Sequence, residues 1–313
     1  MAVAVSSPLD SVSASASTWP WLAPLAALGA VVVALAALVA LRPADVLNAL
    51  AAIGSRRVEA GVAYGPLPRH KLDVYAPTTA APAGGRALVV FFYGGSWNRG
   101  ERADYRFVGE AHAARGIVVL VADYRLYPEV RYPDFLGDCA LALAHGLREA
   151  ARLNADPQRV FVMGHSAGAY NAAMLALDAA RLAPTGRSPN ELAGWIGLAG
   201  PYDFLPMTNP DTRPVFFHPD YPPGTQPITY ATRQSPRGFL GAALKDSLID
   251  PQRNTVGLAR RLQAAGAQVE LKLYTRVDHM TLAAALAGPL QWLAPVLDDV
   301  VAFIDRPTSV PER

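Results

Sequence analysis

The feature that most constrains this chain is a series of short apolar runs. RALVVFFYGG (86–95), GIVVLVADY (116–124), RVFVMG (159–164) and LAGWIGLAG (192–200) show no apolar–polar alternation. A strand with one wet face alternates, so continuous runs of this length belong to strands covered on both faces. GFLGAAL (238–244) and QVELKLY (268–274) add two more strand candidates. Helical spacing separates them in 134–153, 167–182, 255–266 and 289–305. Strands that alternate with helices predict an α/β fold, with a mostly parallel central sheet and helices on both faces. RRVEAGVAYG and HKLDVYAP, around the turn PLPR, read as two strands preceding that sheet.

The chain has 313 residues, enough for one large α/β domain. Its 28 basic and 26 acidic residues leave a net charge of +2 with no Lys/Arg cluster, which argues against a nucleic-acid surface. The single cysteine, Cys139, cannot form an internal disulfide and reads as a small core residue. Residues 1–18 are Ser/Ala/Val-rich and are expected to be disordered. From Trp21 to Leu41 there is no charged or strongly polar residue. At about 1.5 Å per residue, a helix of that length matches a hydrocarbon core roughly 30 Å thick. A single-pass membrane anchor is therefore expected over 19–42, followed by a connecting helix over 43–56. A cleaved signal peptide competes, but no Lys or Arg precedes the segment and no clear cleavage site follows it. Only Asp10 lies before it, whereas Arg42, Arg56 and Arg57 follow, which favours a cytoplasmic over an exported catalytic domain. Oligomeric state has no signature in the sequence.

The domain is expected to occupy 57–306, ahead of a tail over 307–313. Residues 200–236 break the strand–helix alternation. They are rich in proline and aromatic residues and too long for an ordinary connection, so a lid or substrate loop is expected there.

Chemistry concentrates where the strand RVFVM turns into a helix. Gly164-His165-Ser166-Ala167-Gly168 fits G-x-S-x-G in the strand–turn–helix context that this motif requires. Ser166 is the candidate nucleophile. A serine hydroxyl is barely ionised at neutral pH and needs a base. Among six histidines, His279 lies on a loop after a late strand, on the sheet edge where α/β ligands bind. His165 lies within the turn and should point away from the serine; His70, His112 and His145 read as surface or structural, and His218 belongs to the insertion. The order Ser…Asp…His then asks for an acid after a strand. Asp246 is preferred. Asp250, before a proline, reads as a cap, and Asp278 adjoins His279 too closely to hold its ring. Tyr93-Gly94-Gly95-Ser96-Trp97 ends an early strand, and its glycines free backbone N–H groups for an oxyanion. Gly94, Gly95 and Ser96, with Ala167, form the expected oxyanion hole. Trp97, Tyr202 and Phe204 are the expected substrate contacts. The histidines form no H-x-H or H-E-x-x-H pattern, so no metal is expected, and no cofactor.

Together HKLDVYAP, YGGSW, ADYRLYPE, GHSAG, GPYDF and VDHMTL resemble the α/β-hydrolase fold family over roughly residues 58–304. Within it the chain is similar to carboxylesterase-type members with an H-G-G-x-W motif, including feruloyl-esterase-like, acetyl-esterase-like and kynurenine-formamidase-like enzymes. The resemblance implies a serine esterase acting on a small-molecule ester. It departs from the pattern at Tyr93, where a histidine is usual, and before Asp246, where a His-Gly pair is usual. Amidase or peptidase chemistry is the nearest alternative, and a non-catalytic binding module is the remaining one.

Overall fold

Eight strands form one sheet in a computed structural model that describes residues 25, 27, 28, 32, 33, 37, 38, 41–50 and 55–307. They are β1 (Ser55–Ala63), β2 (Lys71–Pro77), β3 (Arg86–Phe92), β4 (Val118–Ala122), β5 (Ala155–His165), β6 (Gly194–Leu198), β7 (Gly238–Ala243) and β8 (Val269–Tyr274). Their spatial order is β1-β2-β4-β3-β5-β6-β7-β8. The first two pairings, β1 with β2 and β2 with β4, are antiparallel. All others are parallel. Every residue of β3, β4, β6 and β7 is buried, as their unbroken apolar runs require. Full burial of each Val, Leu, Ile or Phe side chain contributes about 1.5–3 kcal/mol, so these central strands dominate the core.

The helices among the described residues are α1 (Pro43–Leu50), α2 (Arg106–Ala114), α3 (Asp134–Glu149), α4 (Ala167–Leu177), α5 (Ala179–Leu182), α6 (Gly257–Ala264), α7 (His279–Ala284) and α8 (Val296–Asp305). Several differ from the sequence reading. Among the described residues, the connecting helix expected over 43–56 is α1 to Leu50, with Ser55 and Arg56 already in β1. The helical stretch over 167–182 breaks at Asp178, which is extended and caps α5. Helix α2 was not anticipated. Helix α8 starts only at Val296, because Pro295 stands where its first turn would begin and the residues before it form a short 3₁₀ turn. The segment 200–236 contains no strand or α-helix, only 3₁₀ turns at Arg213–Phe216 and Pro227–Tyr230.

Arg237 ties the end of the chain's last helix to the sheet. Its guanidinium donates to the carbonyls of Ala193 at 2.8 Å, Phe303 at 3.0 Å and Arg306 at 3.0 Å. It lies over the rings of Phe161 and Phe303, 5.4 and 4.6 Å from their centroids. Cys139 is free and buried in α3.

The chain divides into two units between Val46 and Leu47, and the larger carries the whole sheet. Of the expected anchor over 19–42, the described residues include Leu25, Leu28, Val32, Val33, Leu38 and Leu41, which are helical and exposed. Residues 19–24, 26, 29–31, 34–36, 39 and 40 of it, the segment 1–18, residues 51–54 and residues 308–313 lie outside the described residues. Among the described residues, no helix is long and apolar enough to cross a membrane.

Candidate active site

The turn between β5 and α4 admits only glycine at two positions. A Cβ on Gly164 would lie 2.1 Å from the Gly168 carbonyl oxygen, and one on Gly168 would lie 1.9 Å from that of Phe92. This approach holds Ser166 at φ 55° and ψ −121°, a conformation that costs a non-glycine residue of order 1–3 kcal/mol. The fold over-determines it. The Ser166 N–H donates to Leu198 O at 2.8 Å, and its carbonyl accepts from Ala169 and Tyr170 as α4 begins.

Ser166 Oγ lies 2.9 Å from His279 Nε2, and His279 Nδ1 lies 2.7 Å from Asp246 Oδ2. A carboxylate only accepts, so Nδ1 carries the proton and Nε2 presents its lone pair to the serine hydroxyl. The other oxygen of Asp246 accepts the N–H groups of Leu248 and Ile249, both at 2.9 Å. Those backbone donors fix the carboxylate, and nothing in the local sequence announces them. His279 and Asp246 are buried, and Ser166 is half-exposed. The other acids are engaged elsewhere. Asp250 accepts from Gln252 and Arg253. Asp278 caps α7, and the Thr281 hydroxyl and N–H hold its carboxyl below the usual range.

The remaining histidines are structural or remote. His70 lies 3.0 Å from the buried Asp138, and His112 Nδ1 donates to Val108 O at 2.8 Å. Burial pulls the His112 pKa down to about 4. His145 is buried in α3 and beside Arg148. His218 is exposed and bonded to Tyr221. His165 is buried under the base, its Nε2 3.0 Å from His279 O.

The loop after β3 lies against this turn. A Cβ on Gly94 would be 2.9 Å from Ser166 Cβ. Gly95, Ser96 and Trp97 all have positive φ, at 125°, 54° and 56°. The N–H groups of Gly95 and Ser96 have no hydrogen-bond partner among the described residues. Ala167 opens α4, so its N–H lies at a helix N-terminus, the end that favours negative charge. A buried network braces the loop from behind. Tyr93, which occupies the usual histidine position, donates to Asp123 Oδ1 at 3.1 Å and accepts from Arg69 at 3.0 Å. Arg102 bridges Asp73 and Asp123. Tyr127 N–H donates to Trp97 O at 2.8 Å, so the DYRLYPE segment supports the loop through its backbone.

Two of the three expected substrate contacts point elsewhere. Trp97 is 3% exposed; its Nε1 donates to Asn171 Oδ1 at 3.0 Å, and its ring packs edge-on against Tyr170 and Phe216. Tyr202 is wholly buried against Trp195, Gly197 and Gly200. Both are core side chains: neighbours in sequence of a reactive loop need not face the same way. Phe204 is half-buried on Tyr170 and Phe216. The 200–236 segment is held by side-chain amides, with Asn254 accepting from Tyr202 and Asp203, and Gln226 from Phe204 and Leu205. On the loops bearing the acid and base, Leu244, Leu248 and Met280 are exposed apolar side chains that the sequence did not single out. A hollow of about 470 Å³ beside Arg159, Arg237 and Arg306 lies where β6 and β7 begin, at the opposite ends of the strands from Ser166. Its guanidinium groups are already bonded to carbonyls, Asp305 and Glu270.

The sequence profile of BD-FAE matches residues 72–262, most of the domain and both flanks of this turn. This chain belongs to the BD-FAE family. It has the α/β-hydrolase fold. It is 29% identical over 272 residues to the isoprenylcysteine alpha-carbonyl methylesterase ICME of Arabidopsis thaliana, a match covering 80% of this chain and 62% of that protein. The carboxylesterase NlhH of Mycobacterium tuberculosis is 32% identical, over 64% of this chain and 68% of its own. The chain thus spans about 62% of the length of the plant relative. Among solved structures, apo Thermogutta terrifontis esterase 2 superposes with a TM-score of 0.66 at 23% identity, covering 80% of this chain and 98% of its own. That likeness concerns the fold.

Proposed function

We propose that this BD-FAE member is a serine esterase working through an acyl-enzyme. The observation that carries the reading is the continuous chain from Ser166 Oγ through His279 to Asp246, at 2.9 and 2.7 Å. His279 takes the proton of Ser166 as Oγ attacks the ester carbonyl, and Asp246 holds the ring and stabilises its charged form. The N–H groups of Gly95, Ser96 and Ala167 stabilise the oxyanion, with Gly94 bringing that loop against the serine. His279 then protonates the leaving alcohol. In the second half, His279 takes a proton from water as it attacks the acyl-serine, and returns it to Ser166 Oγ. No metal or organic cofactor enters this scheme.

Esters come before amides because the relatives are named as esterases. The exposed Leu248 and Met280, close in sequence to acid and base, suit an ester with an apolar acyl or alcohol part. The same reading has the 19–42 segment as a single-pass membrane anchor with the catalytic domain on the cytoplasmic side. Its support is the apolar run itself and the exposed helical Leu28, Val32, Val33 and Leu41.

The test is hydrolysis of p-nitrophenyl esters of increasing acyl length by the full chain in detergent, beside Ser166→Ala. Loss of kcat by at least about 10³-fold is expected in the variant. A folded wild type inert on every ester, or a variant with wild-type turnover, refutes the esterase reading.

A further inference from the structure

We propose that His165, the residue before the nucleophile, is a positioning residue for the catalytic base; this rests on the serine-esterase reading above. Its ring is 2% exposed at the end of β5. Nε2 lies 3.0 Å from the main-chain carbonyl of His279, and the two rings are 5.0 Å apart. A carbonyl only accepts, so Nε2 carries the proton and Nδ1 is the bare nitrogen. Nδ1 is buried with no hydrogen-bond partner, and it lies 3.3 Å from where a Cβ of Gly94 would stand. One ring therefore touches the three parts of the site: it precedes Ser166, it bonds His279, and the oxyanion loop backs onto it.

The bond matters because of what else holds His279. Asp246 fixes the ring at Nδ1, and Asp278 caps the helix by accepting from Met280 and Thr281. Neither fixes the distance from the His279 backbone to β5, on which the reach of Nε2 to Ser166 depends. His165 spans that gap from the strand that presents the nucleophile. Its neutrality is part of the role. Burial, then the neighbouring His279, pulls its pKa down to about 3. It thus stays an uncharged donor, and no second cation opposes the imidazolium formed at His279 during turnover. A lysine or arginine could supply an N–H, but only with a charge in that place.

The experiment compares His165→Leu with His165→Gln in the full chain. Leucine fills the space without a donor, whereas glutamine carries an amide N–H near Nε2. Displacement of a catalytic group by about 1 Å costs up to about 10²-fold in rate. The leucine variant should therefore lose about 10- to 100-fold in kcat with KM within about threefold, and glutamine should restore most of the loss. A packing role alone would not separate the two variants. Thermal melting checks that each folds, and His165→Met replaces leucine if it does not. Equal kcat in wild type and the apolar variant, or glutamine no better than leucine, overturns the inference. Labelling of wild-type Ser166 by a fluorophosphonate separates the two levels. A labelled wild type with an unimpaired apolar variant sinks this inference alone. An unlabelled wild type sinks the esterase reading and this inference with it.

Discussion

Gly168→Ala tests whether the close approach of α4 to β3 sets the catalytic geometry. The new Cβ would stand 1.9 Å from Phe92 O, 2.4 Å from Phe92 C and 2.6 Å from Tyr93 O. All three are backbone atoms, so no side-chain rotation relieves the clash. Opening the shortest gap to the roughly 3 Å where real contacts begin takes about 1 Å of movement, in an interior already packed like a crystal. Phe92 and Tyr93 lead directly into Gly94, Gly95 and Ser96, while Gly168 sits two residues after Ser166. The displacement therefore separates the nucleophile from the oxyanion loop. Overpacking of this kind costs about 1–3 kcal/mol in stability, a few degrees of melting temperature in a domain this size. The effect on turnover is larger, about 10²-fold. The assay is steady-state ester hydrolysis with a melting curve on the same preparation. Gly137→Ala is the internal control: it lies in α3 with nothing within 4 Å of the added Cβ. It should keep full activity and gain up to about 1 kcal/mol from helix propensity. Wild-type kcat and melting temperature in Gly168→Ala would refute the reasoning.

Two further predictions concern buried charge. Asp138 is 2% exposed and accepts Arg125 N–H and Nε at 2.9 Å and Nη2 at 2.8 Å, and the ring of His70 lies 3.0 Å from it without the geometry of a hydrogen bond. Asp138→Ala strands those donors and should cost about 3–5 kcal/mol, read as a fall in denaturation midpoint; an unchanged midpoint would remove this cluster from the stability account. His112 and His165, drawn down to about 4 and about 3, stay neutral in the fold while the unfolded chain protonates near 6.5. The unfolded state then binds more protons, so stability is full above pH 6.5 and falls as pH drops toward 4. Between pH 7 and 5 the loss is about 2 kcal/mol for each histidine. Urea titrations at pH 7 and pH 5 measure it, and a midpoint that holds or rises on acidification contradicts the assignment.

The parallel core was legible because its strands are apolar on both faces, and local pattern suffices for that. Ser166 was legible because a strand, a glycine pair and a helix are adjacent in the chain. Helix α2 escaped for the opposite reason: Phe107 to Ala113 are all buried, so no apolar stripe alternates with a wet face. Asp246 and Asp250 look alike in sequence. Both accept the N–H groups two and three residues on; what distinguishes them is that Asp246 also reaches His279, and that is set by the path of a loop. Trp97 and Tyr202 show the same limit, since a residue's place beside a motif does not say which way its side chain turns. The hydrogen bond from His165 to His279 joins residues 114 apart in sequence and left no local trace.

The Arg237 clasp has a bearing on the order in which the chain is made. Synthesis runs from the N-terminus, so the nucleophile emerges long before its base, and the carbonyls of Phe303 and Arg306 that Arg237 grips emerge later still. Until they arrive, the guanidinium on the approach to β7 lacks two of its three acceptors, and the faces of Phe161 and Phe239 that Phe303 covers stay open. Docking of α8 therefore completes the Arg237 clasp and the cover over Phe161 and Phe239 in one step, so Val296–Asp305 closes a part of the core that the nucleophile's own strand begins.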